Sequence, residues 1–189
     1  MDEHTKTRAS KFLSYVLRHD PAAIGIELDE AGWVDVDALL GRYRAGGKPI
    51  TRAQLDDIVA TNPKQRFALS EDGRRIRANQ GHTVDVDLGY DPVAPPELLF
   101  HGTVGGALDG IRTHGLVRME RHHVHLSPDR ETAARVGQRR GRPVILTVRA
   151  GDMHRGGFAF FRSDNGVWLT DHVPPGYVDM PDVPHRDHR

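Results

Sequence analysis

Positive groups able to hold a phosphate recur at three places in this chain. Arg18 and His19 are adjacent in Ser14-Tyr-Val-Leu-Arg-His-Asp-Pro21, Arg66 stands in Asn62-Pro-Lys-Gln-Arg-Phe67, and Arg139 and Arg140 precede Gly141. Arginine offers a planar fork of donors that matches phosphate, and histidine adds a donor that titrates near neutrality. Each has a plainer explanation. A helix C-terminus favours cations, and a lone arginine is usually a solvated surface charge. Gathered in one cleft, the same residues would suit a phosphate whose charge shifts during reaction.

A second set is built on histidine. There are twelve histidines, nine of them after residue 100. His101-Gly-Thr103 follows Leu98-Leu-Phe100, which places a histidine at a strand end and then a glycine whose backbone a ligand can approach closely. A tight strand exit would use the same residues. In His122-His-Val-His125, alternation puts His123 and His125 on one strand face. No cysteine or carboxylate at zinc spacing accompanies them, so no metal is expected. His154, His172, His185 and His188 are scattered or terminal and receive no role. Neither a GxGxxG nor a P-loop is present.

These residues need elements to position them. Ala9, Phe12, Leu13, Val16 and Leu17 recur at helical spacing, and Pro21 stops that helix near His19. Ile24–Leu28 reads as a short strand before a turn at Asp29–Gly32. Asp35 caps a helix that Gly46-Gly47 ends, and Thr51 with Gln54 forms a capping box for a third. Phe67 and Leu69 alternate on a strand, Glu71–Gly73 turn, and Arg74–Arg77 return. Three helices and a hairpin suggest a winged helix over about residues 5–78, an architecture that often touches nucleic acid or serves for packing alone.

The second half is richer in strands. Short strands are expected at Val124–Leu126 and Val144–Val148, and a hairpin at Phe158–Leu169 around Ser163-Asp-Asn-Gly166. Ser127, with Pro128 next to it, caps a helix running to about Gly137. Residues 83–97, with Gly89 and three prolines, read as a linker, and no internal repeat is visible.

The bulk numbers narrow the classes. A chain of 189 residues with 38% hydrophobic content allows one large domain or two small ones with a real core. The formal net charge is zero, and residues 1–82 hold 13 Lys/Arg against 12 Asp/Glu, so no global field draws in nucleic acid. There is no cysteine, hence no disulfide and no thiolate nucleophile. No apolar run reaches membrane-spanning length, and no signal-peptide core precedes the first helix. A cytoplasmic, soluble monomer is expected, with no membrane partner.

Taken in order, seven segments resemble the KptA-type RNA 2'-phosphotransferase family. They are Leu13–Pro21, Lys64–Phe67, Arg77–His82, His101–Thr103, His123–Ser127, Val136–Gly141 and Ser163–Thr170. The resemblance covers about residues 8–178. It implies an α+β chain in which an N-terminal winged-helix lobe (1–82) packs against a β-rich ADP-ribosyltransferase-like lobe (98–180), with a linker (83–97) and a tail (181–189). The active site would then lie in the cleft between the lobes. The family's phosphate-handling tetrad falls on Arg18, His19, Arg66 and Arg139. The transferase signature falls on His101, His125 and Val167, without the glutamate that many protein-modifying relatives carry.

The implied reaction removes an internal RNA 2'-phosphate and consumes NAD+. A 2'-phosphate oxygen attacks C1'' of the nicotinamide ribose and nicotinamide leaves. The ribose O2'' then attacks that phosphate, releasing RNA with a free 2'-OH and ADP-ribose 1'',2''-cyclic phosphate. On this basis Arg18 and Arg66 are expected to hold the 2'-phosphate. His19 is expected to donate to it and assist the leaving O2', and Arg139 to stabilise the second transition state. His101, Gly102, Thr103, His125, Ser127 and Val167 are assigned to the NAD+ pocket, with Val167 an apolar wall. Asn79, Gln80 and His82 are expected on the RNA or interlobe side. The rival activities are capping of nucleic-acid terminal phosphates with ADP-ribose, modification of a protein, and noncatalytic nucleic-acid binding.

Overall fold

The apolar spacing of the first twenty residues forms helix α1 (Glu3–Arg18), with Asp2 accepting from the Thr5 N–H and His19 closing the C-terminus. The structure is a computed structural model and describes residues 1–181, so the expected tail, apart from Pro181, lies outside the described residues. The chain is α+β, with a helical N-terminal region and a sheet-rich C-terminal region. Contacts divide it into two units, Met1–Gly89 and the residues from Tyr90 onward.

After α1 the chain does not enter a strand. Pro21–Ile24 form a 3-10 turn, capped by the Asp20 carboxylate on Ala23 N–H and closed by Gly25 in the left-handed region. These local caps fix a turn where apolar residues suggested a strand at Ile24–Leu28. The first strand is instead β1 (Val34–Asp35), leading directly into α2 (Val36–Ala45). Asp35 caps α2 at Ala38 N–H, as expected, and Gly46 ends it. Helix α3 (Arg52–Thr61) carries both halves of the Thr51–Gln54 capping box. Strands β2 (Phe67–Leu69) and β3 (Arg75–Ala78) form the expected hairpin, and β1 adds to β3, giving an antiparallel sheet of order β1-β3-β2. Leu13, Val16, Leu17, Leu39, Leu55, Ile58, Phe67 and Ile76 form the core of this unit.

The second unit begins its sheet with β4 (Leu99–Val104), followed by α4 (Leu108–His114) and β5 (Leu116–Val117). Then come β6 (Val124–Leu126), α5 (Arg130–Gly137), β7 (Pro143–Val148) and α6 (Ala150–Arg155). Strands β8 (Phe161–Arg162), β9 (Trp168–Thr170), β10 (His172–Val173) and β11 (Val178–Asp179) complete it. The sheets are β11-β7-β4, β6-β9-β8 and β10-β5, all antiparallel. The expected β8–β9 hairpin is present, but its first strand holds only Phe161 and Arg162; Phe158 and Phe160 pack into the core instead. Two reciprocal backbone bonds join the first two sheets. Phe100 N–H donates to Ser127 O at 2.9 Å, and Ser127 N–H donates to Phe100 O at 2.7 Å.

The connecting residues are bonded at both ends. Thr83 N–H donates to Arg18 O at 2.8 Å and Asp87 N–H to Glu30 O at 2.6 Å, within the first unit. Val93 N–H donates to Phe160 O at 2.8 Å, and Glu97 pairs with Arg155 at 2.8 and 2.9 Å, within the second. Among the described residues no helix is long and apolar enough to cross a membrane.

Candidate active site

In the N-terminal unit the last turn of α1 delivers Arg18, and His19 is its C-cap. His19 Nδ1 lies 3.0 Å from Thr83 Oγ1. The Thr83 hydroxyl has one further acceptor near it, the Arg18 carbonyl at 3.5 Å. If the hydroxyl hydrogen points to that carbonyl, Thr83 accepts from Nδ1–H and fixes the His19 tautomer. Arg66 enters the hairpin one residue before β2, and its carbonyl accepts from Asn79 N–H at 2.9 Å. Asn79 Nδ2 donates to the neighbouring Gln65 carbonyl at 2.5 Å. Residues 79–83 therefore run from the Arg66 backbone to the Arg18 backbone, and Asn79 and His82 are buried along it. The 79–83 segment thus ties the backbones of Arg66 and Arg18 together and carries Thr83 to His19. Thr83 was not singled out from the sequence; a threonine after a histidine in a loop has no local signature.

The C-terminal unit assembles a second group at the junction of two sheets. His101 lies in the middle of β4, paired with Leu146, and not at the strand end that the sequence suggested. The strand continues because β7 pairs with it through Val104. His101 Nδ1 is 3.0 Å from the carbonyl oxygen of His125. A carbonyl only accepts, so Nδ1 carries the proton and neutral His101 keeps its lone pair at Nε2. Burial lowers the His101 pKa, the hydrogen bond to His125 opposes this, and the charges of Arg140 and Arg121 lower it further.

Gly102 points the other way. A Cβ there would overlap the Ala133 carbonyl and stand 2.9 Å from the Gly137 nitrogen. The close approach that glycine permits is therefore that of α5, the chain's own helix. Gly137 returns the contact: a Cβ on it would sit 3.1 Å from the Thr103 carbonyl. Thr103 is buried on the same strand face as His101. The small-residue contact seats α5 on β4, and a 3-10 turn, Gln138–Arg140, carries Arg139 and Arg140 off its end.

Ser127 does not cap α5. Its backbone is committed to Phe100, and Asp129 caps the helix at Thr132 N–H, at 2.7 Å. Ser127 and Val167 each lie one residue beyond the last pair of the β6–β9 ladder, Leu126–Trp168. The Val167 backbone closes its own turn, its carbonyl accepting from Ser163 N–H. His125 pairs with Leu169 in β6, whereas His123 precedes that strand and its ring lies 5.5 Å from the Phe161 ring. Phe161 and His125 both pair across Leu169, so the His123 ring lies toward the same side as His125 although β6 itself starts at Val124. Among the described residues no cluster of histidine and carboxylate suited to a metal ion occurs.

The sequence reading missed Arg121. Its Nη1 lies 3.4 Å from His125 Nδ1. Burial, then the charges of Arg140 and Arg139, lower its pKa below the ordinary arginine value. Arg121 thus stands beside His125 with the like charges of Arg139 and Arg140 acting on it, an arrangement that suits an anionic ligand.

The family described as RNA 2'-phosphotransferase, Tpt1/KptA family, matches residues 4–172. The chain belongs to that family. It is 56% identical over 185 residues to a protein named Probable RNA 2'-phosphotransferase from Streptomyces griseus, covering 94% of this chain and 98% of the relative. Proteins of the same name from Streptomyces coelicolor and Burkholderia pseudomallei are each 55% identical, covering 98% and 93% of this chain and 100% and 95% of theirs. Family membership makes this a chain of an RNA 2'-phosphotransferase enzyme family. Arg18, His19 and Arg66 are in the N-terminal unit; Arg139, His101, Gly102, Thr103, His125, Ser127 and Val167 are in the C-terminal one.

Proposed function

We propose that this protein is an NAD+-dependent RNA 2'-phosphotransferase that removes an internal 2'-phosphate from RNA. The N-terminal unit is read as a winged helix that holds the RNA phosphate, and the C-terminal unit as an ADP-ribosyltransferase-like fold that takes NAD+ as a consumed second substrate. The supporting observation is the neutral His101, held through Nδ1 by the His125 carbonyl, beside the charges of Arg121 and Arg140. A neutral imidazole offers its Nε2 lone pair to a ribose hydroxyl, while the guanidiniums suit phosphate oxygens.

In the first step the 2'-phosphate oxygen forms a bond to C1'' as the bond to nicotinamide breaks. The nucleophile is already anionic and nicotinamide leaves neutral, so no strong base or acid is required. Arg18 and Arg66 hold the phosphate and supply orientation. The product is RNA carrying a 2'-phospho-ADP-ribose group. In the second step the ribose O2'' bonds to phosphorus, its hydroxyl proton passing to solvent, and the P–O bond to the RNA O2' breaks. Charge moves across the phosphoryl oxygens, and Arg139 stabilises it there. As an imidazolium protonated on both ring nitrogens, His19 can donate through Nδ1 to Thr83 and give its Nε2 proton to the departing O2'. Thr103, Gly102, Ser127, His125 and Val167 shape the pocket for the nicotinamide ribose, Gly102 by seating α5 on β4.

The test supplies an RNA bearing one internal 2'-phosphate, with and without NAD+, and identifies both products. RNA with a free 2'-OH and ADP-ribose cyclic phosphate are expected only with NAD+. A stable ADP-ribosyl adduct on a terminal phosphate would point to capping instead. No nicotinamide release with any phosphorylated RNA would leave a binding module.

A further inference from the structure

Tyr15 is an exposed aromatic held rigid beside the phosphate residues. It is 44% exposed, whereas its helix neighbours Leu13, Val16 and Leu17 are fully buried. It precedes Arg18 by three residues and His19 by four, so the three share one face of the helix end. The Tyr15 and His19 ring centroids are 6.3 Å apart, tilted by 46°. The phenol does not swing freely. Its hydroxyl donates to Asp20 Oδ2 at 2.8 Å, and the other Asp20 oxygen caps Ala23 N–H at 3.1 Å. The helix backbone ties the same residues, since His19 and Asp20 N–H both donate to the Tyr15 carbonyl.

A large exposed ring held this way has already lost the freedom that binding would otherwise remove, and a flat exposed aromatic is a stacking surface for a nucleobase. The ribose carbons that carry a 2'-phosphate and a base are adjacent, C2' and C1'. A phosphate at Arg18 and His19 therefore brings its own base to the neighbourhood of the Tyr15 ring.

We propose that Tyr15 stacks on the base of the nucleotide that bears the 2'-phosphate, making it a substrate-positioning residue. This rests on the phosphate-binding role given above to Arg18 and His19. Stacking uses the π face of any base, so the contact favours a base over none without selecting its identity.

The experiment measures binding of a short 2'-phosphorylated RNA by fluorescence anisotropy, and turnover of the same RNA with NAD+. The proteins are wild type, Tyr15→Phe and Tyr15→Ala. The RNAs carry either a normal base or an abasic ribose at the phosphorylated nucleotide. Tyr15→Ala is expected to weaken binding by about five- to a hundredfold and raise KM in step, with kcat changed far less. Tyr15→Phe, which keeps the ring and loses the Asp20 bond, is expected to retain most affinity. The abasic RNA is expected to bind wild type weakly and to be indifferent to Tyr15→Ala. Equal losses in Phe and Ala would assign Tyr15 to holding the helix end and overturn the stacking. So would an Ala loss that persists in full on the abasic RNA, or normal RNA binding that Tyr15→Ala leaves unchanged. Failure of wild type to bind the phosphorylated RNA at all would overturn the phosphate assignment and the stacking together.

Discussion

His101 and His125 meet through one hydrogen bond, Nδ1 of the first to the carbonyl oxygen of the second at 3.0 Å, which locks a strand-centre imidazole into one tautomer. Burial, with Arg140 and Arg121 adding to it, holds the His101 pKa below its ordinary value of 6.5. In the unfolded chain that value is restored, so the unfolded state binds more protons in the window below it. The resulting stability is complete above pH 6.5 and is lost as pH falls toward the folded pKa. The thermal midpoint should therefore rise with pH across that window, and His101→Asn should flatten part of the rise. NMR titration of the ring gives the direct measure; a midpoint at or above the ordinary value would contradict the assignment.

Gly102 is expected to tolerate no side chain. A methyl group there meets the backbone of α5 at Ala133, which cannot rotate away. Gly102→Ala should cost about 3 kcal/mol, the upper part of the range for overpacking. The thermal midpoint should drop by on the order of 10 °C for a unit of this size. Ala133→Gly should not rescue it, because the obstacle is a carbonyl and not a methyl. A folded, fully stable Gly102→Ala protein would show that α5 can shift off β4.

What the sequence reveals and hides follows from how local each interaction is. Asp35 capping Ala38 and the Thr51–Gln54 box lie within one turn of helix, so residue types alone announce them. Ser127 and Asp129 are equally good caps by type; a strand pairing with Phe100, distant in the chain, decides between them. Gly102 was legible as a close-approach site, but its occupant, Ala133, comes from a helix that only the folded chain brings over it. Arg121 carries no periodic signal at all. Its meaning comes from Arg139 and Arg140, which another loop brings near.

Thr83 gives a test of how His19 is held. Thr83→Val keeps the shape and removes the partner of Nδ1. If His19 is a general acid, loss of the Thr83 hydrogen bond should lower kcat by about tenfold, a fraction of the full worth of general acid catalysis, with KM little changed. Thr83→Ser should retain activity, since it keeps the hydroxyl. Equal activity of the Val and Ser variants would mean that Thr83 does not orient the imidazole.

Arg66 should be visible in the salt dependence of RNA binding. The chain has no net charge to attract RNA, so affinity must come from local cations. For single-stranded RNA each neutralised phosphate contributes a slope of about 0.7 in log affinity against log salt. Arg66→Ala should weaken binding at low salt and reduce the slope by about that amount. A parallel line with the same slope would place Arg66 outside the phosphate contacts.

Arg139 and Arg140 are neighbours on one 3-10 turn, and kinetics can separate them. Arg139 is assigned to the charge that develops in the second step, so Arg139→Ala should leave nicotinamide release largely intact and slow resolution of the ADP-ribosylated RNA by about a hundredfold or more. The intermediate should then accumulate in a single-turnover assay and be seen by its mass. Arg139→Lys should recover only part of the rate, because an ammonium cannot reproduce the planar fork. Arg140 acts on His101 and Arg121 through its charge, so Arg140→Ala should instead raise the His101 pKa and stall nothing. An intermediate that accumulates with Arg140→Ala and not with Arg139→Ala would reverse the two assignments.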